Sequence, residues 1–218
     1  MTSNVKYVSI VFSSKMYLRL HRQTSGMYIQ KKGNIMSANG VMHDRFKLVN
    51  TFEIVVPEGY DHYTRLDSFA KSHNKEFQYF NSEITDANFR WATTKLKPGW
   101  KFKVKVFEIK EIAKSEDCMA KLRSEKAIFV GAQGASLVWE QKKQELPDNR
   151  WFASFDEKDA LWKDAHDYHR VPLVGRHSGE VFKFDLGYFG IGWIDDDGIC
   201  LLCFCDVKKP KKYLGKLN

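Results

Sequence analysis

Five consecutive residues, His166-Asp-Tyr-His169-Arg170, set two imidazoles, a carboxylate, a phenol and a guanidinium side by side. Imidazole titrates near neutral pH and guanidinium binds oxyanions in a bidentate manner, so the group suits acid–base chemistry or an anionic substrate. His166, His169 and Arg170 are therefore the candidate catalytic residues, for a hydrolase or transferase. No Ser or Cys nucleophile is tied to them by spacing. Histidines just past a helix C-terminus also serve the helix dipole, and catalysis is the third reading, not the first.

Other chemistry-bearing residues are less specific. Glu108-Ile-Lys110 has the Glu-x-Lys spacing of metal-dependent nuclease sites, with Asp86 upstream as a second acid, but three residues do not fix a site. Cys200-x-x-Cys203-x-Cys205 invites a zinc reading, completed by His166, His169 or His177. On a strand, however, Cys203 and Cys205 share one face and Cys200 the other, and no glycine knuckle lets the pair wrap a metal. The cysteines read as small buried hydrophobes, reduced as in a cytoplasm, and neither metal nor other cofactor is expected. Gly131-Ala-Gln-Gly134 lacks a complete phosphate-binding glycine pattern and reads as a plain turn into a helix. Asp195-Asp-Asp-Gly198 lacks the distal Glu of a calcium loop and reads as a hairpin turn.

Binding chemistry is better represented. Lys101, Lys103 and Lys105 alternate with Phe102, Val104 and Val106, so a strand places the three amines on one face, about 6.6 Å apart. Lys95 and Lys97 extend the row, and Phe89, Trp91 and Trp100 offer rings for base stacking, the combination by which single strands are bound. Lysines on an exposed strand also simply discourage edge-to-edge pairing. Arg19 and Arg22 are further candidate phosphate contacts. A separate segment, Gly187-Tyr-Phe-Gly-Ile-Gly-Trp193, flanks its aromatics with glycines, so Tyr188, Phe189 and Trp193 form a candidate protein-docking patch.

These residues need elements to position them. Val5 to Phe12, Tyr17 to His21 and Met27 to Lys31 read as strands, the last two as a hairpin around Gln23-Thr-Ser-Gly26. Phe46 to Val56 is the next strand, ended by Pro57 and Gly59. From Asp61 the period lengthens: Tyr63, Leu66, Phe69, Ala70, His73, Phe77 and Phe80 fall on one helical face. Lys97-Pro-Gly99 is a turn, and Trp100 to Ile112 a long strand whose apolar parity switches at Phe107, which predicts a bulge. Ser115 predicts a helix N-cap, Ala127 to Val130 a strand, and Ala135 to Leu146 a helix. Ser154 and Glu157 have capping-box spacing, predicting a helix from Phe155 to His166. Glu180 to Leu186 is a strand, and Gly190 to Ile194 pairs with Ile199 to Asp206 across the Asp195–Gly198 turn. The class expected is α+β: a mixed, mostly antiparallel sheet with about four helices, one domain over 1–207 and a basic tail over 208–218.

With 218 residues, 43% hydrophobic and 28% charged, the chain can bury about 70% of its unfolded surface without staples. Its longest apolar runs fall short of the roughly 20 residues that cross a bilayer, so no membrane partner is expected. The N-terminus lacks a signal-peptide cleavage pattern. The net charge of +8 is uneven, with eight Lys/Arg against one Asp over residues 1–50 and six against twelve Asp/Glu over residues 146–206. Such polarity steers anions. The expected function is accordingly a non-enzymatic binding module that engages an anionic partner, foremost nucleic acid, through a basic and aromatic face. The alternative is a protein-binding regulator or inhibitor.

Overall fold

The computed structural model describes residues 45–176, 181–193 and 198–210, all of them within the compact unit Ala38–Asn218. The expected strands before residue 45, together with Arg19, Arg22, His177 and most of the Asp195–Gly198 turn and the basic tail, lie outside the described residues.

Alternating apolar residues make β1 (Phe46–Val55) a strand, and it pairs antiparallel with β3 (Lys101–Ile109). Opposite Phe107 the register slips between Leu48 and Asn50, so the irregularity expected from the parity switch is present, with the extra residue on the partner strand. β9 (Ile199–Lys208) lies beside β3, antiparallel to it. It runs through Lys208, the first residue assigned to the tail. Its continuous apolar run reflects burial on both faces, because helices cover each side of the sheet. Next come β5 (Arg150–Ala153), parallel to β9, then β6 (Arg170–Arg176) and β7 (Phe182–Tyr188), each antiparallel to its predecessor. β2 (Phe77–Phe80) closes the other edge, parallel to β7. The order β1-β3-β9-β5-β6-β7-β2 is one mixed, seven-stranded and mostly antiparallel sheet.

Three α-helices are present among the described residues, one fewer than expected. α1 (Arg65–His73) and α3 (Gly131–Lys142) cover one face, where Leu66, Phe69, Leu137 and Trp139 meet Val106, Phe152, Val174, Phe184 and Phe204. α2 (Ser115–Ser124) covers the other, packing Cys118, Met119 and Leu122 on Phe107, Leu173, Leu201 and Cys203. The mixed α+β class expected from the sequence is therefore the class observed.

Several boundaries differ for physical reasons. The helix expected to reach Phe80 stops at His73, and after a short 3₁₀ turn at Asn74–Glu76 the chain becomes β2, because Phe77 and Phe80 find a ring cluster with Phe69 and Phe184 beside β7. The helix expected over Phe155–His166 is absent. Ser154 Oγ donates to the Gly131 carbonyl and caps nothing at its own position, and Trp162 to Arg170 folds as a narrow hairpin in which Lys163 bridges His169. β6 carries Pro172, whose carbonyl accepts the Ser154 N–H just past the end of β5; its missing N–H faces the same side, where the β5–β6 ladder stops at Ala153 and Leu173. β8 (Gly192–Trp193) pairs with β4 (Ala113–Lys114) and not with Ile199 onward, so the expected hairpin does not form. Ser115 sits inside α2; the Asp117 carboxylate accepts the Lys114 N–H at 3.1 Å instead.

Candidate functional site

Residues 89–101 have neither helix nor strand until Lys101, yet they are firmly held. Phe89, Ala92 and Leu96 point inward and are buried, while Arg90, Trp91, Lys95, Lys97 and Lys101 are exposed. Three buried polar side chains pin the backbone between them. Gln133 Nε2 donates to the Phe89 carbonyl at 3.1 Å, Asp156 Oδ1 accepts the Thr93 N–H at 2.9 Å, and His62 Nδ1 accepts the Leu96 N–H at 3.3 Å. Gly99, at φ +73°, then turns the chain into β3, its N–H bonding the Val56 carbonyl at 2.9 Å. The result is a ledge of four cations and two tryptophans with no acid in residues 90–101.

The rings on this ledge carry cations. Trp91 is 71% exposed, with Arg90 Cζ 5.1 Å from its ring centre. Tyr63, entering α1, is 56% exposed; Lys95 Nζ lies 4.9 Å from its ring centre and donates to its hydroxyl. Trp100 is half-buried, edge-on to Phe102, with Lys209 Nζ 4.9 Å over it. Charge and aromatic surface thus coincide.

The lysine row of β3 divides. Lys101 remains exposed. Lys103 pairs with Asp206 at 3.1 Å, and Lys105 with Glu125 at 2.8 Å; Lys121 also reaches Glu125, at 2.5 Å. Hydrogen bonds from Lys105 and Lys121 hold the Glu125 carboxyl below the usual carboxylate range. The reason is register: Lys103 and Lys105 lie opposite Cys205 and Cys203, on the face that α2 covers. They are therefore ion-pair partners and do not form a continuous free basic face with Lys101. A shallow depression of about 180 Å³, lined by Glu53, Lys101, Phe102, Lys103, Asp206 and Lys208, has mixed charge.

The His/Arg cluster and the aromatic patch, read separately in the sequence, meet at one corner because Arg170 stands opposite Tyr188 in the β6–β7 register. Arg170 is already engaged: Nε and Nη2 both donate to Asp164 Oδ2, and its guanidinium lies 3.5 Å over the Tyr188 ring. Asp164 Oδ1 also accepts the His166 and Tyr168 amides, so it organises the hairpin. His166 is exposed. His169 Nδ1 is buried without a hydrogen-bond partner among the described residues, and its ring lies 6.3 Å from Phe189. Arg170, a candidate catalytic residue, is thus paired with Asp164 and laid on Tyr188. Phe189 and Trp193 are 4% and 1% exposed, so of the expected docking patch only Tyr188 reaches the surface. Ser115 holds them in, its Oγ donating to the Phe189 carbonyl and accepting the Trp193 Nε1–H at 2.7 Å.

Glu108 is buried, its two oxygens on Lys110 and Arg150 at 2.9 Å each. Asp86 accepts the Leu66 and Asp67 amides at the start of α1. Neither is placed as a metal ligand, and among the described residues no three His, Cys, Asp or Glu side chains gather around a common point. All four cysteines are buried; burial, then Cys205 beside it, pushes the Cys203 thiol up to about 12. Gly134 allows α3 to approach Phe204, and the Asp156 carboxylate lies against Gly131 at the helix start, where an incoming phosphate would need to sit.

Sequence reasoning missed Tyr63 and Arg90 and all three pins. The acid-free run from Arg90 to Lys101 was the readable signal. Comparison with known protein families, with curated proteins and with solved structures finds no match.

Proposed function

We propose that the protein is a non-enzymatic binding module for an anionic partner, foremost nucleic acid, and that the Arg90–Lys101 ledge with Tyr63 is the contact surface. The observation that carries this reading is the pairing of exposed rings with cations at Trp91 and Tyr63 on a backbone pinned from beneath. Basic side chains supply the salt-dependent attraction to phosphate and the rings add contact that charge alone does not. Trp100, Lys101 and Lys97 extend the surface toward β3. Among the described residues no helix is long and apolar enough to cross a membrane.

The test is a fluorescence-anisotropy titration against labelled nucleic acid across a salt series. Each lost phosphate contact should flatten the log–log salt slope by about 0.7 on a single strand. Arg90→Glu, Lys95→Glu and Lys101→Glu should each do so. Lys105→Glu, whose wild-type amine is held by Glu125, should change the slope far less. Equal effects at all four positions would show that the ledge has no special role, and absence of binding at low salt would overturn the proposal.

A further inference from the structure

The ledge differs from a merely basic surface in how its rings are presented. Trp91 and Tyr63 are the exposed rings, and each has its cation at the ring itself, at 5.1 Å for Arg90 and 4.9 Å for Lys95. Resting on the reading above, we infer that the ledge takes unpaired nucleic acid, with bases stacked on Trp91 and Tyr63 and flanking phosphates on Arg90 and Lys95.

Three features lead there. A base can stack on an exposed ring only through a free face of its own, and a base inside a duplex has both faces covered by its neighbours, so stacking on these rings favours a single strand. Spacing agrees, because Lys95 follows Trp91 by four positions, a span of at most about 14 Å, with Tyr63 held against Lys95, so both rings can serve one extended strand a few nucleotides long. The third feature is rigidity. Gln133, Asp156 and His62 pin the backbone on both sides of Trp91 and Lys95, so little ordering cost attends binding. Residues 90–101 themselves contain no acid to repel phosphate, and the acids beside them, Asp61 at the Tyr63 amide and Glu53 near Lys101, come from neighbouring segments.

Binding to a short oligothymidylate, an oligouridylate and a duplex of the same length separates the possibilities, using the full chain and the variants Trp91→Ala, Trp91→Phe, Tyr63→Ala and Arg90→Ala. Both aromatics are exposed, so the variants leave the core intact. Trp91→Ala and Tyr63→Ala should each weaken single-strand binding by roughly five- to a hundredfold, the range that base stacking on one ring spans, with the salt slope unchanged. Trp91→Phe should retain most of the affinity. Duplex binding should be weaker and indifferent to Trp91→Ala. If Arg90→Ala weakens and flattens binding while the ring variants leave single-strand affinity unchanged, the stacking inference is overturned and the anionic-partner reading survives. If no nucleic acid binds at low salt, both fail. A preference for oligouridylate over oligothymidylate or the reverse assigns the strand type within the inference.

Discussion

Ser115 Oγ joins two groups that cannot reach water: it donates to the Phe189 carbonyl and accepts from Trp193 Nε1 at 2.7 Å. Ser115 is fully buried and Trp193 is 1% exposed, so Ser115→Ala leaves a donor and an acceptor unpaired in the core. Each such group costs about 1–3 kcal/mol, which sets the expected loss at about 2–5 kcal/mol of unfolding free energy. Trp193→Phe removes the donor but also much of the ring that packs 5.7 Å from Phe155, and costs about 2 kcal/mol by loss of contact. In the double variant the indole N–H is no longer there to be stranded, so the combined loss should fall short of the sum by about 1–2 kcal/mol. Urea unfolding, followed by tryptophan fluorescence and by far-UV circular dichroism, gives these values, with an unchanged m-value as the check that the unfolded state is the same. Strict additivity, or a Ser115→Ala variant as stable as the wild type, would refute the account of Phe189 and Trp193 as structural residues and restore them as candidates for docking.

Two other perturbations test the pins and the packing behind the ledge. Burial and then Lys95 hold the His62 imidazole below its ordinary value of 6.5, against the opposing pull of Asp61. Its neutral Nδ1, which serves Tyr60 and Leu96, therefore stabilises the fold above that ordinary value and ceases to do so as the pH falls through the lowered one. The stability advantage of the wild type over His62→Asn in urea should accordingly be larger at about pH 7 than at about pH 5, and an advantage that grows on acidification would contradict the hydrogen-bond assignment. Gly134→Ala should destabilise by about 1–3 kcal/mol despite an ordinary helix-propensity gain of about 1 kcal/mol, because the new methyl would stand 2.3 Å from Val130 Cγ2 and 2.9 Å from the Phe204 ring; a raised melting temperature would show that α3 can move off the sheet.

What the residues determined by themselves was local. Alternation in Phe46–Val55 and Lys101–Ile109 made strands, because a pleated backbone sends neighbouring side chains to opposite faces whatever lies beyond them. The continuous apolar run of Ile199–Cys205 marked a strand, and the parity change at Phe107 marked an irregular register. The acid-free composition of Arg90–Lys101 was legible in the same way, as a property of one contiguous segment. Wherever a residue's role depended on a partner far along the chain, the order of residues did not contain it. Lys105 was matched to Glu125, Arg170 to Tyr188 and Ser115 to Trp193 only when the sheet order and register were set. Phe77 and Phe80 satisfied a helical period and a strand pairing equally well, and the aromatic cluster around Phe69 and Phe184 decided between them. The candidate site shows the same division: its cations and both tryptophans come from one stretch of chain, while Tyr63 and the pins Gln133, Asp156 and His62 come from elements that only the tertiary structure brings to it.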